Sequence, residues 1–310
     1  MQKRLPKGVW PVMLTPFTEN NQLDIPGYRQ LVDFYIQQQA AGLFATCGSS
    51  EVYLLTADEI VQLTEEAVTV AKGHVPVVAG AICHGEVNKQ IDLAKRLAQT
   101  GIAAVVFNAS QIITKQATDQ DWFTAIDRLI TELPDTPLGI YECPTPYHRL
   151  LTDTQIKHLA DSKRFIFFKD TCKDSKRVAA RLKQTVGSPI AYFDAHAPHI
   201  FDTLAHGIDG HCGVGSNLCI ELFVWLCNNH RNDPQTSKQV HQYINSLDPI
   251  LDIKYPASVK IAMQARNINI QQNCRIFKDK ITQDSIDLIY KTIDDIQSRH
   301  QSITTPALSS

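Results

Sequence analysis

The chain has 310 residues, of which 44% are hydrophobic, and a formal net charge of −2. Such a chain can bury a large core, so we expect a globular protein built as one α/β barrel or as two smaller domains. The basic residues are spread along the sequence, and neither nucleic acid nor an acidic membrane is an expected partner. No signal peptide or apolar run of membrane-spanning length is found, which predicts a cytoplasmic protein.

Short apolar runs recur through the first two-thirds of the chain and predict eight β-strands. They span residues 9–14, 43–47, 75–81, 103–107, 138–141, 165–169, 190–194 and 209–214. Amphipathic stretches with helix signals separate these runs. For example, Thr56 with Glu59 and Thr152 with Gln155 have the spacing of helix capping boxes.

The alternation of strands and helices predicts parallel strands that close into a (β/α)8 TIM barrel. A doubly wound open sheet is the alternative, but no G-x-G-x-x-G follows the first strand. After Asn217 only helices are predicted, at residues 218–227, 237–247, 256–266 and 283–298. We therefore expect a barrel over residues 1–217 that carries the active site. C-terminal helices over 218–310 would pack on it, with a frayed tail at 303–310.

The sixth predicted strand is four bulky apolar residues followed by Lys169 and Asp170. In a barrel of this kind, side chains at the carboxyl ends of the strands project into the active-site mouth. An apolar floor beneath Lys169 would disfavour the charged ammonium and leave free amine to attack a carbonyl carbon. The alternative is a solvated lysine at a strand end, with Asp170 as its partner.

Three other strand ends carry residues that could bind a substrate. Gly48 and Ser49 follow the second strand, where backbone N–H groups and a hydroxyl could face a carboxylate, although Gly-Ser-Ser is also ordinary loop composition. Tyr141 ends the fifth strand before two prolines, which favours a position at the mouth over one in the core. Cys212 and Gly213 lie at the eighth strand, where glycines leave room for a ligand or for close backbone approach.

Histidine and cysteine residues near several strand ends raise the question of a metal site. His84, His196 and His211 have cysteine or histidine neighbours, and such clusters can bind zinc. None has a recognisable ligand spacing, so no metal is expected. The eight cysteines form no C-x-x-C pair and are expected to be reduced thiols.

Over nearly its whole length the chain resembles the dihydrodipicolinate synthase / N-acetylneuraminate lyase superfamily of class I aldolases. The matching residues are Gly8 to Phe17 with the T-P-F turn, then Glu51, Leu55 and Thr56, then Tyr141 and Pro144, then Phe168 to Thr171, then Gly207, Gly210 and Asn217, and finally Pro256 to Lys260. Each motif is modest alone, but their order and spacing are specific to this family.

The resemblance implies roles for several residues. Lys169 would form an imine with the 2-oxo group of pyruvate or of a pyruvate-derived acid. Tyr141 would shuttle protons, assisted by Ser49, and the N–H groups of Gly48 and Ser49 would hold the carboxylate. No cofactor or metal is implied, because the substrate is bound covalently at Lys169. A homotetramer or homodimer is also implied.

The chain departs from the family pattern at several positions. Cys47 and Ser50 replace two glycines of the loop after the second strand. Asn108 stands in the segment where the family often has P-P-Y-Y, which includes the tyrosine that the synthase takes from a neighbouring subunit. Pro146 stands where the synthase has an arginine. These changes make dihydrodipicolinate synthesis doubtful.

Polar residues around the mouth suggest the substrate class. Glu142, His148, Arg149 and His196 are expected there and would suit a hydroxylated acid. The favoured function is reversible cleavage of a 2-oxo acid to pyruvate and an aldehyde. The alternatives are dehydration of a 2-oxo deoxy sugar acid, dihydrodipicolinate synthesis, and a catalytically retired barrel that binds a small metabolite.

Overall fold

The computed structural model describes residues 4–85 and 87–305. The strands are β1 (Gly8–Val9), β2 (Leu43–Phe44), β3 (Val77–Gly80), β4 (Ala104–Asn108), β5 (Leu138–Tyr141), β6 (Phe165–Asp170), β7 (Ala191–Asp194) and β8 (Gly210–His211). The helices of the barrel are α1 (Ile25–Gln37), α2 (Ala57–Ala71), α3 (Val87–Ala98), α4 (Asp119–Glu132), α5 (Asp153–Ser162), α6 (Ser175–Gln184), α7 (Ile200–His206) and α8 (Ser216–Asn229). Four more helices follow, α9 (Pro234–Ser246), α10 (Asp248–Leu251), α11 (Ala257–Ala265) and α12 (Gln283–Thr304).

The eight strands are parallel and form a closed barrel. Neighbouring strands pair from β2 through β8 in sequence order, and β8 pairs with β1. Closure between β1 and β2 comes from a parallel bridge of Val12 to Phe44, where the Phe44 N–H donates to the Pro11 carbonyl at 3.0 Å. The predicted TIM barrel is therefore confirmed.

The first strand is shorter than predicted. Residues 9–14 were expected to form it, but β1 ends at Val9 and only the isolated bridge at Val12 continues the pairing. Pro11 explains the difference, because proline has no N–H to donate to a neighbouring strand.

The helices begin where the sequence predicts caps. The Thr56 hydroxyl accepts from the Glu59 N–H at 3.2 Å, and the Glu59 carboxylate accepts from the Thr56 N–H at 2.8 Å. Thr152 and Gln155 make the same reciprocal pair at the start of α5. These boxes satisfy N–H groups that have no partner within the helix. They also fix where the chain leaves each loop at the barrel mouth.

Aromatic side chains fill the barrel interior. The ring of Trp10 lies 5.5 Å from that of Phe167 and 5.3 Å from that of Phe193, between centroids. Phe44 lies 5.6 Å from Phe167 in an edge-on arrangement. Since alternate residues of a strand face the same side, Phe167 and Lys169 of β6 both point into the barrel. These rings therefore form an apolar floor below Lys169.

The C-terminal helices contact the barrel through buried ion pairs. Lys260 of α11 donates to the carboxylate of Glu51, which lies in the loop after β2, at 3.0 Å. Arg266 donates to Glu221 of α8 at 2.8 Å. Helix α12 reaches Thr304, and residues 306–310 of the predicted frayed tail lie outside the described residues. Within the described ranges, none of the helices has the length and hydropathy needed to cross a membrane.

Candidate active site

Lys169 lies inside the barrel near the carboxyl end of β6. Its side chain is buried, with the residue 3% exposed. The Nζ atom lies 4.2 Å from the ring centroid of Tyr141 and 5.5 Å from that of Phe44. Between residues 4 and 305, Glu86 apart, no hydrogen bond or salt bridge involves this Nζ. The solvated alternative for Lys169 is therefore wrong, and its nitrogen is available to a substrate.

Asp170 faces away from Lys169. Successive residues of a strand point to opposite sides, so Asp170 and Glu142 lie outside the barrel wall while Lys169 and Tyr141 lie inside it. Arg181 of α6 donates to both carboxylates, and both are fully buried. The expectation that Glu142 lines the mouth is wrong, because this carboxylate is bound by Arg181 and by the Leu151 N–H.

Tyr141 is placed beside Lys169 by the pairing of their strands. The two residues are direct partners in the β5–β6 register. Burial raises the pKa of Tyr141 well above its usual value, and the thiol of Cys143 adds to this effect. The phenol is therefore neutral at ordinary pH, which suits a group that donates a proton and then takes one back.

The loop after β2 forms a short 3-10 turn at Gly48–Ser50. The Ser50 hydroxyl donates to the Met13 carbonyl at 2.7 Å and accepts from the Cys47 N–H at 3.1 Å. Cys47 has an extended backbone with φ of −152°. Neither altered glycine position therefore needs a glycine here, because the serine hydroxyl holds the turn in place.

Two backbone donors in this turn are free to bind a ligand. The N–H groups of Gly48 and Ser49 donate to no acceptor within the described part of the chain. Ser49 itself is only 5% exposed. A Cβ placed on Gly48 would lie 3.9 Å from the Tyr141 hydroxyl, so the turn stands next to the predicted proton shuttle. Two adjacent free N–H groups are the arrangement that binds a carboxylate.

Cys212 and Gly213 follow β8 and reach the same region. Burial raises the pKa of the Cys212 thiol to about 12, and the charge of Lys169 opposes this shift. Gly213 must be a glycine, because a Cβ there would lie 2.2 Å from the Ala195 carbonyl oxygen. The close approach explains this glycine without a ligand, and the role of both residues in substrate binding stays a prediction.

Sequence reasoning missed Tyr255, which precedes α11. Its hydroxyl donates to the Ser49 Oγ at 2.7 Å and accepts from the Asn217 amide at 2.9 Å. Tyr255 is 206 residues from Ser49 in the sequence and lies near it only in the fold. A signal was present, since Tyr255 stands immediately before the matched P-x-x-x-K segment.

The segment after β4 has its own polar network in place of the family's tyrosine pair. Asn108 donates to the Tyr53 hydroxyl at 2.9 Å and to the Thr145 carbonyl at 2.7 Å. A groove of about 960 Å³ opens beside this network, and its lining includes Tyr53, Pro146 and Tyr147. Pro146 is exposed at this groove, so the position of the synthase's arginine offers no cation.

The fold does not bring together the three histidines that were considered as ligands of a metal ion, His84, His196 and His211. His211 is fully buried and stacks on Phe223 with ring centroids 4.0 Å apart, while His84 packs against Tyr53 in a tilted arrangement with centroids 5.4 Å apart. Burial lowers the pKa of His211 to about 3 and that of His196 to about 4. Among the residues that the structure describes, no three histidine, cysteine or acidic side chains come together as a metal-binding group.

The sequence of the chain also matches a known protein family. The model of the dihydrodipicolinate synthetase family matches residues 5–294. The chain belongs to this family. It is therefore a lyase or aldolase built on a TIM barrel.

Relatives within the family carry different names. A 4-hydroxy-tetrahydrodipicolinate synthase of Bradyrhizobium diazoefficiens is 27% identical over 266 residues, covering 83% of this chain and 86% of the relative. An Escherichia coli protein named as a probable 2-dehydro-3-deoxy-D-pentonate aldolase is 23% identical over 274 residues, covering 86% and 89%. The structure of an Escherichia coli prophage protein of the family in complex with pyruvate superimposes with a TM-score of 0.82 at 21% identity, covering 94% and 98%.

Proposed function

We propose that the chain cleaves a 2-oxo acid reversibly to pyruvate and an aldehyde through an imine at Lys169. The burial of Lys169 beside Tyr141, with its nitrogen unengaged by the described residues, carries this proposal. The family membership agrees with it, and one relative of known structure is in complex with pyruvate.

The proposed reaction begins when the Lys169 amine attacks C2 of the substrate and water leaves, giving a protonated imine. Tyr141, which has given its proton to the hydroxide that leaves as this water, then takes the proton of the C4 hydroxyl while the C3–C4 bond breaks, so the aldehyde departs and the bonding electrons reach the imine nitrogen. The resulting enamine is protonated at C3, and hydrolysis returns pyruvate and the free amine. The N–H groups of Gly48 and Ser49 would hold the carboxylate throughout.

Two related reactions remain in competition with cleavage. The same imine can expel water from a deoxy sugar acid, which would make the chain a dehydratase. The synthase reaction named for one relative is disfavoured, because Asn108 and exposed Pro146 replace groups that the synthase uses. A sugar-acid substrate is favoured by the name of the second relative. A homotetramer or homodimer stays a prediction.

The decisive experiment is borohydride reduction in the presence of pyruvate. We expect one covalent adduct, seen by mass spectrometry and mapped to the peptide that contains Lys169. The Lys169→Ala variant should give no adduct. Lys260 is the internal control, because it is equally buried but bound to Glu51. An adduct that persists in Lys169→Ala would place the imine at another lysine and refute the assignment.

A further inference from the structure

A chain of buried and partly buried hydrogen bonds leads from Tyr35 of α1 to Ser49 in the turn after β2. The Tyr35 hydroxyl donates to the Asn217 Oδ1 at 2.7 Å, and Asn217 Nδ2 donates to the Tyr255 hydroxyl at 2.9 Å. Tyr255 then donates to the Ser49 Oγ at 2.7 Å. Tyr35 and Asn217 are fully buried. The network therefore joins α1, α8 and the segment before α11 to the turn that carries the predicted carboxylate site.

The direction of these hydrogen bonds is set by the Asn217 amide. Its Nδ2 also lies 2.9 Å from the Val12 carbonyl, which can only accept. The amide nitrogen must therefore face Val12, and its second hydrogen is directed at Tyr255. The Tyr255 oxygen thus accepts from Asn217, so its own hydrogen is free to be donated to Ser49.

This direction decides what Ser49 can do. A hydroxyl has a single hydrogen, and the Ser49 oxygen already accepts from Tyr255. The hydrogen of Ser49 consequently points away from Tyr255 and remains available, next to the free N–H groups of Gly48 and Ser49. Three donors without an acceptor among the described residues thus belong to two consecutive residues of the turn, and a carboxylate, which can only accept hydrogen bonds, is a ligand that suits them.

We propose that Tyr255 is a positioning residue that orients the Ser49 hydroxyl toward the carboxylate of the bound 2-oxo acid. The proposal rests on the function proposed above and adds a specificity determinant to it. The residue comes from the same chain as Lys169. Burial raises the pKa of Tyr255, while its hydrogen bond with Ser49 lowers it, so the phenol is a neutral and permanent donor.

The test compares Tyr255→Phe with the unchanged protein, because phenylalanine keeps the ring and removes only the hydroxyl. The pyruvate concentration that gives half-maximal borohydride trapping should rise roughly 10-fold, because the Ser49 hydroxyl, no longer oriented by Tyr255, loses its hydrogen bond to the charged carboxylate. The rate at saturating pyruvate, measured as exchange of the methyl protons with D2O by NMR, should stay close to wild type. Tyr28→Phe is the matched control, because its buried hydroxyl has no hydrogen-bond partner within the described residues.

Two further comparisons separate an oriented hydroxyl from a general structural effect. Hydroxyacetone forms the same imine but has no carboxylate, so its half-saturation should be equal in wild type and Tyr255→Phe. In a Ser49→Ala background, adding Tyr255→Phe should not raise the half-saturating pyruvate concentration any further, because Tyr255 acts through Ser49.

The outcomes distinguish this inference from the proposed function. Unchanged half-saturation for pyruvate in Tyr255→Phe would overturn the inference alone. An equal rise in the half-saturating concentrations of pyruvate and hydroxyacetone would also overturn it. So would a fall in the exchange rate at saturating pyruvate with an unchanged half-saturating concentration. Failure of wild type to be trapped by any 2-oxo acid would overturn the proposed function and this inference together.

Discussion

At the scale of single residues, the site depends on the alternation of side chains along two strands. Tyr141 and Lys169 point into the barrel as register partners, while the residues that follow them in the chain, Glu142 and Asp170, point outward. Lys169 therefore stands in an aromatic environment although the carboxylate of Asp170 is its neighbour in sequence. This separation keeps the Lys169 nitrogen from forming an ion pair with its neighbour.

Replacement of Tyr141 with phenylalanine tests its role as the proton shuttle. The ring packing is kept, so folding should be nearly unaffected, but kcat should fall roughly 10²–10⁴-fold through loss of a positioned acid–base group. Borohydride trapping of pyruvate on long incubation should still succeed, because the Lys169 amine remains. Turnover and trapping are measured on the same preparation, with Tyr28→Phe as the control.

The same comparison tests the retired-barrel alternative. If wild type traps pyruvate but turns over no 2-oxo acid in a broad panel, and Tyr141→Phe behaves identically, catalysis is refuted and a binding role is the better account.

At the scale of elements, the guanidinium of one residue of α6 connects β5, which carries Tyr141, with β6, which carries Lys169. Arg181 donates to Glu142 beyond the end of β5 and to Asp170 at the end of β6, and it also donates to the Leu151 carbonyl at 2.6 Å. The Tyr192 hydroxyl of β7 donates to Asp170 as well. Burial is the largest effect that raises the pKa of Glu142 to about 7, and Arg181 opposes it. The cluster therefore depends on Arg181 for its charge balance.

Removal of this guanidinium should destabilise the fold strongly. Arg181→Met leaves two buried carboxylates without their cation, and breaking a buried ion pair in this way costs about 3–5 kcal/mol in the free energy of unfolding. Denaturant unfolding monitored by circular dichroism measures the change.

An exposed ion pair provides the comparison for that variant. Arg29 and Glu66 pair at 2.6 Å on the surface between α1 and α2, so Arg29→Met should change the unfolding midpoint little. Equal effects of the two substitutions would contradict a special role for the buried cluster.

At the scale of the whole molecule, the barrel accounts better for the proposed binding of pyruvate than for the recognition of the second substrate. In the proposed reaction, Lys169, Tyr141 and the turn at Gly48 would bind pyruvate within one chain. We expect the second substrate to contact the segments after β4 and β5, where Asn108, Tyr53 and Thr145 form a network beside the groove. The chain differs most from the family pattern in these segments.

Substrate preference should follow from these differences. Pyruvate with aspartate semialdehyde should give little product, whereas cleavage of a 2-oxo-3-deoxy sugar acid should be favoured by roughly 100-fold or more in kcat/KM, because a site without a substrate's polar partners rejects it strongly. Pyruvate release is followed with lactate dehydrogenase, and pyruvate trapping confirms active protein in each assay. Comparable rates on both substrates would defeat this expectation.

Much of the fold could be predicted because it is local. Strand runs, capping boxes such as Thr56 with Glu59, and the order of elements depend on residues close together in the chain, and these predictions were confirmed. The first, second and eighth strands are shorter than predicted, and in the first Pro11 is the reason, because proline has no N–H to donate to a neighbouring strand. Lys169 and Tyr141 could be singled out because a strand end is visible in sequence and the barrel brings strand ends together.

The sequence by itself thus determined the barrel, its family resemblance and the candidate lysine, since each depends on periodicity or on a short motif. Only the tertiary structure decided that Glu142 lies outside the barrel with Arg181, and that Tyr255 donates to Ser49. Glu142 and Arg181 are 39 residues apart, and Ser49 and Tyr255 are 206 residues apart. The physical reason is that a hydrogen bond between distant segments depends on how whole elements pack, and no local pattern records that packing.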